Sequence, residues 1–159
     1  MLSLTVMGLL ACSHNVFVNT TPSAAVTEEV NTSGIEKNIL YYINEHRKSV
    51  GLNALTMMQE ASAKAAEHSA DMAQRRTGFG HEGFEERVKY IAARTGAYAA
   101  AAENVAYGKL SAKQVVEGWL NSPGHKKNIE GNYTFTGIGI AKDDKGTIFF
   151  TQIFIRKQS

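Results

Sequence analysis

Thr147–Arg156, TIFFTQIFIR, is the stretch of this 159-residue sequence that decides the fold. Its β-branched and aromatic residues are typical of a β-strand, in which successive side chains point to opposite faces. One face carries Phe150, Gln152 and Phe154, and the other carries Phe149, Thr151, Ile153 and Ile155. Both faces are largely apolar, and a strand that is buried on both faces belongs to a sheet with helices above and below it.

A second predicted strand, Thr136–Lys142 (TGIGIAK), precedes this one, and Asp143–Gly146 (DDKG) between them is a strong turn signal. The two strands therefore predict a C-terminal β-hairpin. Upstream, apolar residues recur at helical spacing near residues 34–51, 56–76 and 84–94, and residues 103–108 predict a short extended segment. The sequence thus predicts an α+β fold, a three-layer α-β-α sandwich with a small antiparallel sheet between four or five helices.

The N-terminal residues predict an export signal and a spacer. Met1–Cys12 (MLSLTVMGLLAC) is an apolar run that is too short to span a bilayer, as in a secretory signal. Its end, Leu-Leu-Ala-Cys, resembles the lipobox of bacterial lipoproteins, which predicts lipidation of Cys12. Residues 13–33 are rich in Ser, Thr, Asn and Ala and predict a flexible tether, so that the folded domain covers residues 34–159. The alternative is an apolar N-terminus with a buried free cysteine.

Composition narrows the classes of partner. The formal net charge is +2, and the charged residues form no long basic stripe with interleaved aromatic residues. This balance predicts no nucleic-acid binding. Cys12 is the only cysteine, so an intrachain disulfide is impossible.

The segment Glu117–Gly131, EGWLNSPGHKKNIEG, predicts a helix end that is followed at once by a second short helix. Ser122 suits the N-cap of that helix, and Pro123 suits its first position. His125 then lies in the first turn, where backbone N–H groups are unpaired and an anion or a carboxylate is favourable. The alternative is that His125 is solvated and the segment is only a connector.

Two other segments carry candidate site residues. His81 ends a loop with two glycines, residues 77–81, and Glu103 directly precedes apolar residues that should be buried. A buried carboxylate needs a partner. If the fold brings Glu103 together with His81 and His125, two imidazoles and a carboxylate can bind Zn²⁺ with an open fourth position. His68, on the apolar stripe of the second predicted helix, is expected to be a core histidine.

A set of short segments, in this order and spacing, is similar to a known family. They are Ile43–Arg47, Gly51-Leu52, His81, Glu103–Val105, Gly108, Val116, Trp119, Ser122–Ile129, Gly137–Ala141 and Thr151–Phe154. The pattern resembles the CAP superfamily (cysteine-rich secretory, antigen 5 and pathogenesis-related 1 proteins) in its short bacterial form, the SCP-like domain. The resemblance covers residues 34–155.

The resemblance implies an α-β-α sandwich with a central cavity, in which two His and two Glu residues can hold a divalent metal. His81 matches the first family histidine, Glu103 matches the first glutamate, and His125 matches the second histidine. Three family positions, a glycine, the second glutamate and an aspartate, are here Ala102, Ser122 and Ile153. These departures weaken the expectation of a complete metal tetrad.

The N-terminal signal and lipobox predict an exported, membrane-tethered protein at the cell surface or in the periplasm, or else a secreted one, and the resemblance implies a ligand-binding function. The protein would bind a small hydrophobic or cell-envelope ligand in a cleft around His81, Glu103 and His125. Further ligand-binding candidates are Ser122, Asn104 and Gln152. The expected cofactor is Zn²⁺ or another divalent metal on His81 and His125. One alternative is a metal-assisted hydrolase with His81 or His125 as general base and Glu103 orienting it. The other alternative is a surface interaction module with a purely structural cleft.

Overall fold

The computed structural model describes the backbone of residues 32–158 and the side chains of residues 34–158. The predicted signal, the predicted lipidation site Cys12 and nearly all of the predicted tether lie outside the described residues. Within residues 32–158, none of the helices combines the length and the apolar character needed to cross a bilayer. The elements in chain order are α1 Thr32–Ser49, β1 Thr56–Met57, α2 Gln59–Ala73, α3 Phe84–Thr95, β2 Tyr98–Gly108, α4 Ala112–Leu120, α5 Pro123–Ile129, β3 Phe135–Lys142 and β4 Ile148–Lys157.

The four strands form one sheet in the order β1-β3-β4-β2, so β3 and β4 are central and β2 is an edge strand. β3 and β4 form the predicted hairpin, in which Ile138 pairs with Gln152. Its turn is closed by the Asp143 carboxylate, which accepts hydrogen bonds from the N–H groups of Lys145 (3.0 Å) and Thr147 (2.7 Å). The predicted α+β sandwich is confirmed.

The sheet is not purely antiparallel, because β1 pairs with β3 in parallel. The prediction that the second helix begins at Thr56 is therefore wrong. The N–H of Thr56 donates to the carbonyl of Thr134 (3.0 Å), and the N–H of Met58 donates to that of Thr136 (2.8 Å), which keeps this segment extended. β2 is longer than predicted, because the alanine-rich residues 98–102 continue its pairing with β4.

Each face of the sheet packs against different helices, as the two apolar faces of β4 predict. The core on the side of α1 and α4 includes Ile39, Ile43, Val116, Trp119, Ile138, Ile140, Phe150 and Phe154. The core on the side of α2 and α3 consists of Met58, Ala61, Ala65, Val88, Ile91, Ile153 and Ile155.

α2 lies so close to β3 that two strand positions admit only glycine. A Cβ atom on Gly137 would lie 2.1 Å from the carbonyl carbon of Ala61. On Gly139 it would lie 1.9 Å from the backbone nitrogen of Ala66. The alanines of α2 thus allow its backbone to approach β3 closely.

Candidate functional site

Glu103 is the buried centre of the candidate site. It projects from β2 toward the layer of α2 and α3, and its side chain is only 1% exposed. His81 Nδ1 lies 3.0 Å from Glu103 Oε1. Arg87 donates from Nε to Oε2 (3.0 Å) and from Nη2 to Oε1 (2.8 Å), a two-point pairing between guanidinium and carboxylate. The carboxylate therefore has the charged partners that its burial requires.

Arg87, on α3, is the site residue that the sequence analysis missed. Its side chain is 10% exposed, and its Nη1 also donates to the carbonyl of Glu82 at 2.7 Å. A signal for it existed, because a buried Glu103 needs a cation and Arg87 directly precedes Val88 on the buried face of α3. The choice among the basic residues of the chain depends on how α3 packs against β2, which local sequence does not encode.

The loop that carries His81 is fastened to α2 by His68. His68 is 2% exposed, and its Nε2 lies 2.8 Å from the carbonyl oxygen of Gly80. A carbonyl only accepts, so His68 Nε2 carries the proton, and the prediction of a core histidine is confirmed. His81 itself has a 53% exposed side chain. Since its Nδ1 donates to Glu103, its Nε2 is left for an incoming group.

α5 covers the open edge of β2 and brings His125 to the same region. The Asn128 Nδ2 group donates to the carbonyl of Glu103 (3.2 Å) and to Asn104 Oδ1 (2.9 Å). Asn104, which is fully buried, donates from Nδ2 to the carbonyl of His125 at 3.2 Å. Asn104 points to the opposite face of the sheet from Glu103, so the site lies around the strand edge and draws on both helical layers.

His125 is half-buried, and its pKa is lowered by burial and, to a smaller extent, by the positive charge of His81. The hydrogen bonds of Asn104 and Asn128 tie α5 to the segment of β2 that carries Glu103, and Glu103 contacts His81. The structure therefore brings His81, Glu103 and His125 to one region of the molecule, with Glu103 contacting His81 directly.

The remaining predicted site residues are placed less directly. Ser122 lies at the N-cap of α5 with Pro123 after it, as predicted, but its hydroxyl makes no capping hydrogen bond. Gln152 is fully buried opposite Asn104, and its Nε2 donates to Thr136 Oγ1 at 3.1 Å. Gln152 therefore has a structural partner. The ligand-binding roles of Ser122, Gln152 and Asn104 stay predictions.

A second buried arginine, Arg47 at the end of α1, holds the C-terminal end of α5. Its Nη1 donates to the carbonyls of Ile129 (2.6 Å) and Gly131 (2.9 Å), and its Nε donates to that of Asn53 (2.7 Å). Burial lowers the pKa of Arg47, and the carbonyl oxygens that accept its hydrogen bonds stabilise its positive charge. The position of α5, and with it that of His125, therefore depends on α1.

The surroundings of Glu103 fit a divalent cation poorly. The Arg87 fork occupies both carboxylate oxygens, and its fixed positive charge repels a second cation at short range. Among residues 34–158, no three His, Cys, Asp or Glu side chains form a group that could hold a metal ion. Zn²⁺ on His81 and His125 stays a prediction.

Comparison with known proteins places this architecture in a family. The family model described as CAP, cysteine-rich secretory protein family, matches residues 40–154. The chain belongs to the CAP family, as its resemblance to the bacterial SCP-like domain predicts.

Three relatives illustrate the family membership. The Bacillus subtilis "Uncharacterized protein YkwD" is 34% identical over 141 residues, which cover 87% of this chain and 52% of that protein. "Uncharacterized membrane protein YlbC" of the same organism is 33% identical over 138 residues, which cover 77% of this chain and 34% of that protein. A solved structure of an extracellular protein containing a SCP domain from Bacillus anthracis str. Ames superposes with a TM-score of 0.67 at 29% identity. It covers 79% of this chain and 41% of that one. This chain spans about half of YkwD and a third of YlbC, so the similarity concerns the shared domain rather than the activities of the whole relatives.

Proposed function

We propose that this CAP-domain protein is exported, is tethered to a membrane through Cys12, and binds a small hydrophobic or cell-envelope ligand in the cleft around His81, Glu103 and His125. The observation that carries the binding role is the state of His81. Its Nδ1 is held by a carboxylate that is itself buried and paired with Arg87, while its ring is about half exposed. A polar group so held and yet open to solvent is suited to orient a ligand.

The partners of His81 reduce the cost of binding. Glu103 fixes the orientation and the tautomer of the imidazole, and Arg87 fixes Glu103, so little side-chain freedom remains to be lost when a ligand arrives. His125 adds a second, half-buried imidazole nearby. Together they offer a ligand one or two hydrogen-bonding nitrogens at positions that the fold already defines.

Export and tethering rest on the N-terminal sequence and on the relatives. The apolar run that ends in Leu-Leu-Ala-Cys supports a lipidated signal. The name of YlbC describes a membrane protein, and the Bacillus anthracis protein with the SCP domain is described as extracellular. Both descriptions agree with a location outside the cytoplasm.

A hydrolase is the second candidate, and the His81–Glu103 pair favours it. An imidazole whose Nδ1–H is held by a carboxylate has the tautomer of a general base, with the lone pair on Nε2. Hydrolysis of p-nitrophenyl butyrate by the full chain, lost in His81→Gln and in Glu103→Gln, would support this activity. A wild-type hydrolysis rate equal to that of the double variant His81→Gln/Glu103→Gln would refute the hydrolase activity.

Native mass spectrometry of the full chain with a lipid extract from the Bacillus subtilis envelope tests the binding proposal. The wild-type chain is expected to retain adducts of lipid mass, and His81→Gln/His125→Gln is expected to lose them. His46→Gln is the matched control, because His46 Nε2 also lies 2.8 Å from a carboxylate, that of Glu130. Equal retention by all three proteins would refute the assigned cleft, and no adducts on the wild type would refute the ligand class.

A further inference from the structure

Three aromatic rings line a groove at the C-terminal end of β2. The rings of Phe79 and Tyr107 meet edge to face with centroids 4.7 Å apart, and Tyr107 stacks on Phe149 at 5.8 Å and 20°. Phe79 is 53% exposed and Tyr107 is 57% exposed. The groove has a volume of about 410 Å³, and Met72, Arg75 and Thr77 also line it. Contiguous exposed rings of this kind mark interaction sites on soluble domains.

Arg75 reaches this groove from an unfavourable backbone conformation. Its φ of 59° makes it the one non-glycine residue with positive φ among residues 32–158. Glycine adopts this conformation freely at the end of a helix, whereas an L-residue with a side chain is strained there. Arg75 lines the apolar groove, and strained residues cluster at functional sites. Arg75 also lines a neighbouring surface pocket with Asp143 and Asp144, and the Oδ1 of Asp143 already accepts two turn N–H groups.

Thr77 supplies a third, independent feature. Its hydroxyl oxygen is buried and has no hydrogen-bond partner in the structure. Leaving a buried hydroxyl without a hydrogen-bond partner is unfavourable in free energy, so a ligand atom or an ordered water is expected to bond to it. The residue lines the same groove as the exposed rings and Arg75.

We propose that this groove binds a small planar apolar molecule that carries a negatively charged group. The apolar ring packs against Tyr107 and Phe79, the anionic group meets Arg75, and a polar atom of the ligand satisfies the Thr77 hydroxyl. None of His81, Glu103 and His125 lines the groove, and Tyr107 follows Glu103 by four residues on the same face of β2, about 13 Å along the strand. This proposal therefore does not rest on the proposed function.

Two fluorescent probes that share one ring system test the proposal on the full chain. 8-Anilinonaphthalene-1-sulfonate carries the anionic group, and N-phenyl-1-naphthylamine lacks it. Tyr107→Ser is expected to raise the Kd of both probes about tenfold. Arg75→Gln is expected to raise the Kd of the sulfonate about fivefold and to leave that of the neutral probe unchanged. If Tyr107→Ser lowers the stability of the fold, Phe79→Ser tests the role of the aromatic rings in its place, because Phe79 lies in a loop.

Tyr41→Ser is the matched control, because Tyr41 is 58% exposed and also meets a neighbouring ring edge to face. It should bind both probes as the wild type does. A loss of probe binding in Tyr41→Ser equal to that in Tyr107→Ser would overturn the proposal. Co-sedimentation with phosphatidylglycerol vesicles that Tyr107→Ser abolishes, without saturable probe binding, would assign the rings to a membrane surface and overturn it as well.

Discussion

Replacing Arg87 with methionine is expected to destabilise the fold strongly, because it leaves a buried carboxylate nearly unpaired. The side chains of Glu103 and Arg87 are 1% and 10% exposed, so water cannot take over the role of the lost guanidinium. Breaking a buried ion pair by removing one partner costs about 3–5 kcal/mol of unfolding free energy. Glu103→Gln should cost less, about 1–3 kcal/mol, because the neutral amide oxygen still accepts a hydrogen bond from Arg87. In the double variant the two costs should overlap by about 2 kcal/mol.

Urea unfolding at neutral pH, followed by the fluorescence of Trp119, measures these free energies. Trp119 is the only tryptophan and is 2% exposed, so its emission reports the loss of the core. Lys113→Met is the control for a surface pair, because Lys113 and Glu117 lie 3.6 Å apart with both side chains more than half exposed. It should change the free energy of unfolding by less than about 0.5 kcal/mol. A cost for Arg87→Met as small as that of the control, or strictly additive costs in the double variant, would refute the reasoning.

The remaining predictions concern packing, pH and the anchor. Gly139→Ala places a methyl group against the backbone of α2 and should cost about 3 kcal/mol or more, whereas Gly118→Ala, with open space around it, should stabilise α4 by about 0.5–1 kcal/mol. Thermal unfolding by circular dichroism compares the two variants, and equal melting temperatures would contradict the close approach. Because the pKa of His125 is lowered in the fold from its ordinary 6.5, the unfolded state takes up the proton first, so stability falls as the pH drops below about 6.5. His125→Gln should show a smaller loss of unfolding free energy between neutral and mildly acidic pH, and an unchanged loss would contradict this. Cys12→Ser should release the protein from membrane fractions, with a mature N-terminus that carries no lipid mass, and the same membrane fraction for both proteins would contradict the anchor.

The hairpin and the burial of β4 on both faces were predictable because both depend on residues that are close together in the sequence. Alternation at a period of two fixes which residues share a face, and the DDKG segment supplies the turn chemistry. β1 was missed for the opposite reason. Residues 56–57 are extended because they pair with residues 135–136, far along the chain, and nothing in their own composition marks a strand.

The candidate site was predictable only in part. His81, Glu103 and His125 came from residue chemistry joined to a family resemblance, because their separations along the chain say nothing about whether they meet. Arg87 was missed, and the burial of Arg47 was not predicted, because a buried arginine has no local signature. What keeps each of them buried is a partner on another element, the carboxylate of Glu103 in one case and the carbonyls after α5 in the other.

The most direct test of the ligand cleft is a histidine-selective NMR titration of the full chain with the Bacillus subtilis envelope lipid extract. Five histidines give five sets of imidazole signals, of which that of His46, paired with Glu130, serves as the internal control. The signals of His81 and His125 are expected to shift together and to saturate, while that of His46 stays in place. Shifts confined to His46, or none at His81 and His125 when the extract binds, would contradict the account.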